Sequence, residues 1–116
     1  MNVVFKNSLG EITVSPRILA DIAAKVASKC YGVVGMASKS SKSVTVLKSD
    51  NLNKGVHITV GENGILIELH IVVQFGLNIN STCESIVHRV RYNLETMTGI
   101  PVKYVNVMVD GVRVSD

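Results

Sequence analysis

The sequence has no tryptophan, and its three tyrosines and two phenylalanines make aromatics only 4% of the chain. That leaves little with which to stack nucleobases. It has two cysteines, Cys30 and Cys83, too far apart to form a metal knuckle or a redox CxxC pair. Both fall on apolar faces of predicted helices, where a free thiol behaves as a small hydrophobe. They are read as buried thiols; a bridge between them is the alternative, and a cytosolic setting disfavours it. Apolar residues reach 47%, yet no run approaches the roughly 20 that a membrane helix needs. No basic start leads into an apolar segment of the kind that directs secretion. The chain is therefore expected in the cytoplasm, reaching the inner face of the membrane only through a partner. A net charge of +3 is small for a dedicated nucleic-acid binder. No GxSxG, HExxH, Walker or dinucleotide motif is present, so neither catalysis nor a cofactor is expected.

What is present is a long alternation. Ile65, Ile67, Leu69, Ile71, Val73 and Phe75 are apolar, while Glu68, His70 and Gln74 stand between them with Leu66 and Val72. A period of two over this length predicts a strand with one buried face and one mixed face. At ~1.5–3 kcal/mol per buried side chain, that face contributes on the order of ten kcal/mol before entropy. The net stability of a small domain is ~5–15 kcal/mol, so other elements must cover this face. A chain of 116 residues is long enough to do so as one domain, residues 1–116.

In order, residues 1–8 read as a loosely held leader, followed by a short strand at Glu11–Val14. Ser15-Pro16 offers an N-cap oxygen and a proline at the first helical position. A helix is predicted from Pro16 to about Cys30, with Leu19, Ile22, Ala23, Val26, Ala27 and Cys30 on its buried stripe. Val33–Ala37 reads as an apolar extension, and residues 38–55 as a lysine- and serine-rich loop holding a Val44–Leu47 island. Val56–Val60 alternates, and Asn63-Gly64 signals a hairpin into the central strand. A two-residue loop sets His57 opposite His70; a four-residue loop sets it opposite Glu68. Asn80 or Ser81 caps a second helix with Cys83, Ile86, Val87, Val90, Leu94 and Met97 inward, ended by Gly99 and Pro101. Val102–Val109 is a further strand, after which Asp110-Gly111 is read as a turn. The pattern predicts an α+β fold, a two-layer sandwich. Its αββαβ core has a three-stranded sheet with two helices on one face, plus a short N-terminal strand.

Candidate sites are few. His57 and His70, with Glu68 nearby, offer two imidazoles but no third fixed ligand, so a solvated polar face is the preferred reading and no metal is expected. Ser81 and Cys83 stand near a helix start, where a thiol can be activated, but no base accompanies them. Gly32-Val33-Val34-Gly35 has the spacing of the KH-domain backbone clamp, yet its two valines offer phosphate nothing. A KH-like RNA-binding module is the alternative function. Lys39, Lys42, Lys48 and Lys54 form a solvated loop or an electrostatic patch for anionic lipid or an acidic partner. Leu66, Val72, Tyr104 and Met108, beside His70, compose an apolar patch on the open sheet face suited to self-association.

Gly10–Ser15, Cys30–Lys39, Val73–Gly76 through Ile79, Thr98-Gly99, Val105-Asn106-Val107 and Gly111–Val114, in this order, resemble the alkaline shock protein family. These are the Gls-type envelope stress proteins of Gram-positive bacteria. The likeness covers almost the whole chain and is nearest the short, single-domain members without long charged tails. It implies a non-enzymatic cytosolic protein tied to envelope homeostasis, with no catalytic residues to carry over. It further implies protein partners: a homo-oligomer, a membrane-anchored protein, or a protein of fatty-acid metabolism. Nucleic acid is not among them.

Overall fold

The computed structural model describes residues 3–39, 44–47, 52–61 and 64–114. In chain order the elements are β1 (Val3–Asn7), β2 (Gly10–Val14), α1 (Pro16–Ser28), β3 (Val33–Lys39), β4 (Val44–Val46), a 3-10 turn (Leu52–Gly55), β5 (Val56–Gly61), β6 (Gly64–Gln74), α2 (Ile79–Thr98) and β7 (Val102–Arg113). The class is α+β, as the periodicities predict.

The alternating stretch becomes β6, the axis of the sheet. One of its edges is taken along the whole length by β7, in parallel, from Ile65↔Val102 to Gln74↔Arg113. A parallel partner needs a long crossover, and α2 supplies it. The other edge is shared end to end: β5 pairs with its first half and β3 with its second, both antiparallel. Ile65, Ile67, Leu69, Ile71 and Val73 are buried in one core with Leu19, Ala23 and Ala27 of α1 and Ile86, Val90 and Leu94 of α2. Both helices therefore cover the same sheet face, and the alanines of α1 let its backbone lie close. Ser15 Oγ accepts from the Arg17 amide at the start of α1, and Pro16 follows where no amide is needed. Gly99, at φ 74°, closes α2 in the left-handed region.

Several expectations are corrected. The main sheet has five strands rather than three, because β3 and β4 join it. The physical reason is the length of β6: 11 residues span roughly 35 Å, enough for two antiparallel neighbours in succession. From Val3 to Asn7 the expected leader is a strand. Val3–Asn7 pairs with β2 in a separate two-stranded sheet, and Val3 reaches the core. The expected short strand exists but lies in that hairpin, outside the main sheet.

Phe75 is 66% exposed rather than inward, because β6 ends at Gln74 and the chain turns there. The cap of α2 is Asn78, whose Oδ1 accepts from the Ser81 amide, earlier than either expected residue. Asp110-Gly111 does not turn the chain: β7 runs through them with a register shift opposite Ile71/Val72. Within residues 38–55, Lys39 ends β3, Val44–Val46 forms β4 and Lys54 sits in the 3-10 turn. Lys42 and Lys48 lie outside the described residues, as does Asn63 of the expected hairpin turn.

Candidate functional site on the outer sheet face

Alternation that drives five side chains of β6 inward drives Leu66, Glu68, His70 and Val72 outward. The ladder with β7 sets Leu66 beside Tyr104, Glu68 beside Asn106 and His70 beside Met108. The ladder with β5 sets His57 beside Glu68 and Thr59 beside Leu66, choosing the second of the two possible registers. Tyr104 and Met108 are 56% and 42% exposed. Val72 is different: it is buried, paired with Gly35, and Val46 Cγ1 stands 2.8 Å from where a Cβ on Gly35 would be. The β4 side chain thus closes that end of the face. Leu66, Tyr104, Met108 and His70 share the open part, while Val72 belongs to its closed edge.

The polar centre of the face is His70. Its Nδ1 lies 2.8 Å from Asp110 Oδ2, and its Nε2 lies 2.8 Å from Glu68 Oε2. The His57 ring meets it edge-on, with centroids 5.4 Å apart. Partial burial works against charge on His70. The two carboxylates outweigh it through hydrogen bonding and Coulombic attraction, so its pKa lies above the ordinary 6.5. Asp110 is the member that sequence reading missed. Taken as a turn residue, it is instead placed by the irregularity in β7, which re-aims a side chain across the pleat onto His70. An acidic residue beside a glycine near the end of a strand run was the available signal, and turn chemistry explained it equally well.

Of the lysines in residues 38–55, Lys54 stands away from this face. Lys54 is exposed and lines a groove with Arg17, Asn53 and His57 at the margin of β5. The glycines of the KH-like spacing answer to packing. A Cβ on Gly32, at φ 86°, would collide with the Leu77 side chain, and Gly35 makes room for Val46. Val33 and Gly35 sit within β3 on either side of a register shift, so no clamp for phosphate is formed. Both cysteines are free, and burial pushes both thiols upward, the opposite of activation. Cys83 lines a groove of about 500 Å³ between α2 and β7 together with Val87, His88 and Met108. Among the described residues, no helix is long and apolar enough to cross a membrane.

Comparison with known proteins supplies the context. The uncharacterized protein YloU of Bacillus subtilis is 31% identical over 119 residues, covering 100% of this chain and 99% of that protein. An uncharacterized protein of Streptococcus pyogenes is 32% identical over 117 residues, covering 98% of this chain and 97% of its own length. A second Bacillus subtilis protein, the uncharacterized YqhY, is 28% identical over 106 residues, covering 90% of this chain and 78% of its own. No solved structure matches the chain. The model of the alkaline shock protein 23 family, described by a cell envelope-related function, matches residues 4–114. The chain belongs to that family.

Proposed function

We propose that this envelope-related protein is a non-enzymatic binding and assembly module that works through the outer face of its sheet. The observation that carries this reading is the exposure of Tyr104 and Met108, with Leu66 and His70 between them and β5, on a face that both helices leave uncovered. Exposed apolar surface framed by polar groups is what association sites look like. Its first occupant is a second copy of the chain. Further partners are a membrane-anchored protein or a protein of fatty-acid metabolism, which would hold the module at the inner face of the membrane. Lys54 and the other lysines of residues 38–55 would then supply charge attraction to an acidic partner.

The test is mass in solution. Size-exclusion chromatography with light scattering on the full chain should give an oligomer that Tyr104→Ser with Met108→Ser reduces to a monomer of unchanged circular dichroism. A wild-type protein that stays monomeric at high concentration, and captures no partner from native cells, would defeat the reading. RNA binding at low salt is not expected, because the Gly32 and Gly35 spacing that suggested it is taken up in packing.

A further inference from the structure

The polar cluster on the outer face has a feature that neither a solvated strand face nor an association surface needs. A neutral imidazole carries one N–H. His70 nevertheless has a carboxylate oxygen at 2.8 Å from each ring nitrogen. Only one of these contacts can be an N–H donating to oxygen unless something positive is added at the other. The Asp110 side chain is 9% exposed and has Nδ1 to itself, so it fixes the tautomer with the proton on Nδ1. The Nε2 lone pair then faces Glu68 Oε2, acceptor against acceptor. A second proton on the ring would answer this demand, but it gives no role to His57. The ligand atoms of His57, Glu68 and His70 all lie within 4.8 Å of one another, so a single ion can reach the three with small side-chain rotations.

We propose that His57, Glu68 and His70 bind one divalent transition-metal ion of the zinc type, with Asp110 holding His70 in position. Two imidazoles with one carboxylate suit zinc, nickel or copper and are a poor match for magnesium or calcium, which take oxygen ligands. The carboxylate behind His70 is the usual outer partner of a metal-bound histidine. The backbone presents the set rigidly: His57 and Glu68 are direct neighbours across the β5–β6 ladder, His70 is two residues further along the same face, and Asp110 comes from β7. Three protein ligands leave a fourth position open, and His57 is exposed, so that position faces solvent. The inference stands apart from self-association, because the ligands come from one chain.

The test uses untagged full-length protein, stripped with chelator and titrated calorimetrically with zinc chloride, and with magnesium chloride as control. Zinc should bind at one ion per chain, and magnesium should give no heat. His57→Ala and His70→Ala should each weaken zinc at least tenfold. Asp110→Asn should keep the stoichiometry and weaken binding by about 10–100-fold. His88→Ala, on the exposed side of α2, should bind zinc as wild type does. Circular dichroism and thermal melts establish that each variant is folded, and nitrogen-detected histidine NMR shows which rings shift with zinc. Absence of saturable zinc binding by the wild type overturns the proposal. So does binding that survives His57→Ala and His70→Ala, or that His88→Ala removes.

Discussion

The two faces of β6 come from the same eleven residues and do opposite work. Inward, Ile65, Ile67, Leu69, Ile71 and Val73 are sealed beneath α1 and α2. Outward, Glu68 and His70 hold a polar cluster completed by Asp110, and Leu66 lies beside the exposed Tyr104. The inner face is non-directional: any close-packed set of apolar side chains of similar volume would hold the helices down. The outer face is directional, because 2.8 Å contacts between imidazole and carboxylates depend on which residue stands at which register position. Stability is concentrated on one side of a strand, and specific chemistry on the other.

Putting a charge on the inner face should have the largest effect. Leu69→Asp buries a carboxylate with no partner and should unfold the domain, whereas Gln74→Asp, at the exposed end of the same strand, should cost less than about 1 kcal/mol in urea melts. Equal losses from the two would mean the faces do not differ as described. Ile67→Ala should follow, at about 2–5 kcal/mol. Its outward neighbour Leu66→Ala, only partly buried, should lose well under half of that, and a reversal of this order would deny that the core is one-sided. Between these in size, Gly32→Ala should destabilise by about 1–3 kcal/mol, since φ 86° and the Leu77 side chain both oppose a Cβ.

The smallest effect belongs to pH and to the outer face alone. The folded pKa of His70 lies above its ordinary 6.5, so the protonated ring stabilises the fold. That contribution is fully present below about pH 6.5 and is lost as pH rises through the folded value. With chelator present, the Tm of the wild type should therefore fall more between roughly pH 6 and pH 8.5 than that of His70→Gln. Parallel pH profiles for the two proteins would show that Glu68 and Asp110 do not hold the ring as their distances indicate.

Much of this contrast was legible before any coordinates. Alternation identified β6, its inward residues and the outward placement of Glu68, His70, Tyr104 and Met108, because strand geometry sends neighbours to opposite faces whatever surrounds them. Legibility failed where two local readings were equally good. Asp110-Gly111 has the chemistry of a turn and also of a strand irregularity, and only pairing with β6 decides between them. Phe75 continued the alternation on paper, but it already belongs to the turn with Gly76, whose φ is 95°. Asn78, Asn80 and Ser81 could each cap α2, and the one chosen depends on where the chain leaves the sheet.

The sequence by itself determined the class of fold, the buried face of the central strand and the two helices that cover it. These depend on periodicity and on local stops, which are properties of neighbouring residues. Tertiary structure alone decided that β3 and β5 share one edge of β6, that Val3–Asn7 forms a hairpin rather than a leader, and that Asp110 meets His70 from 40 positions away. Register and long-range pairing are collective choices made by a sheet when its strands close on one another, so no local stretch of residues encodes them.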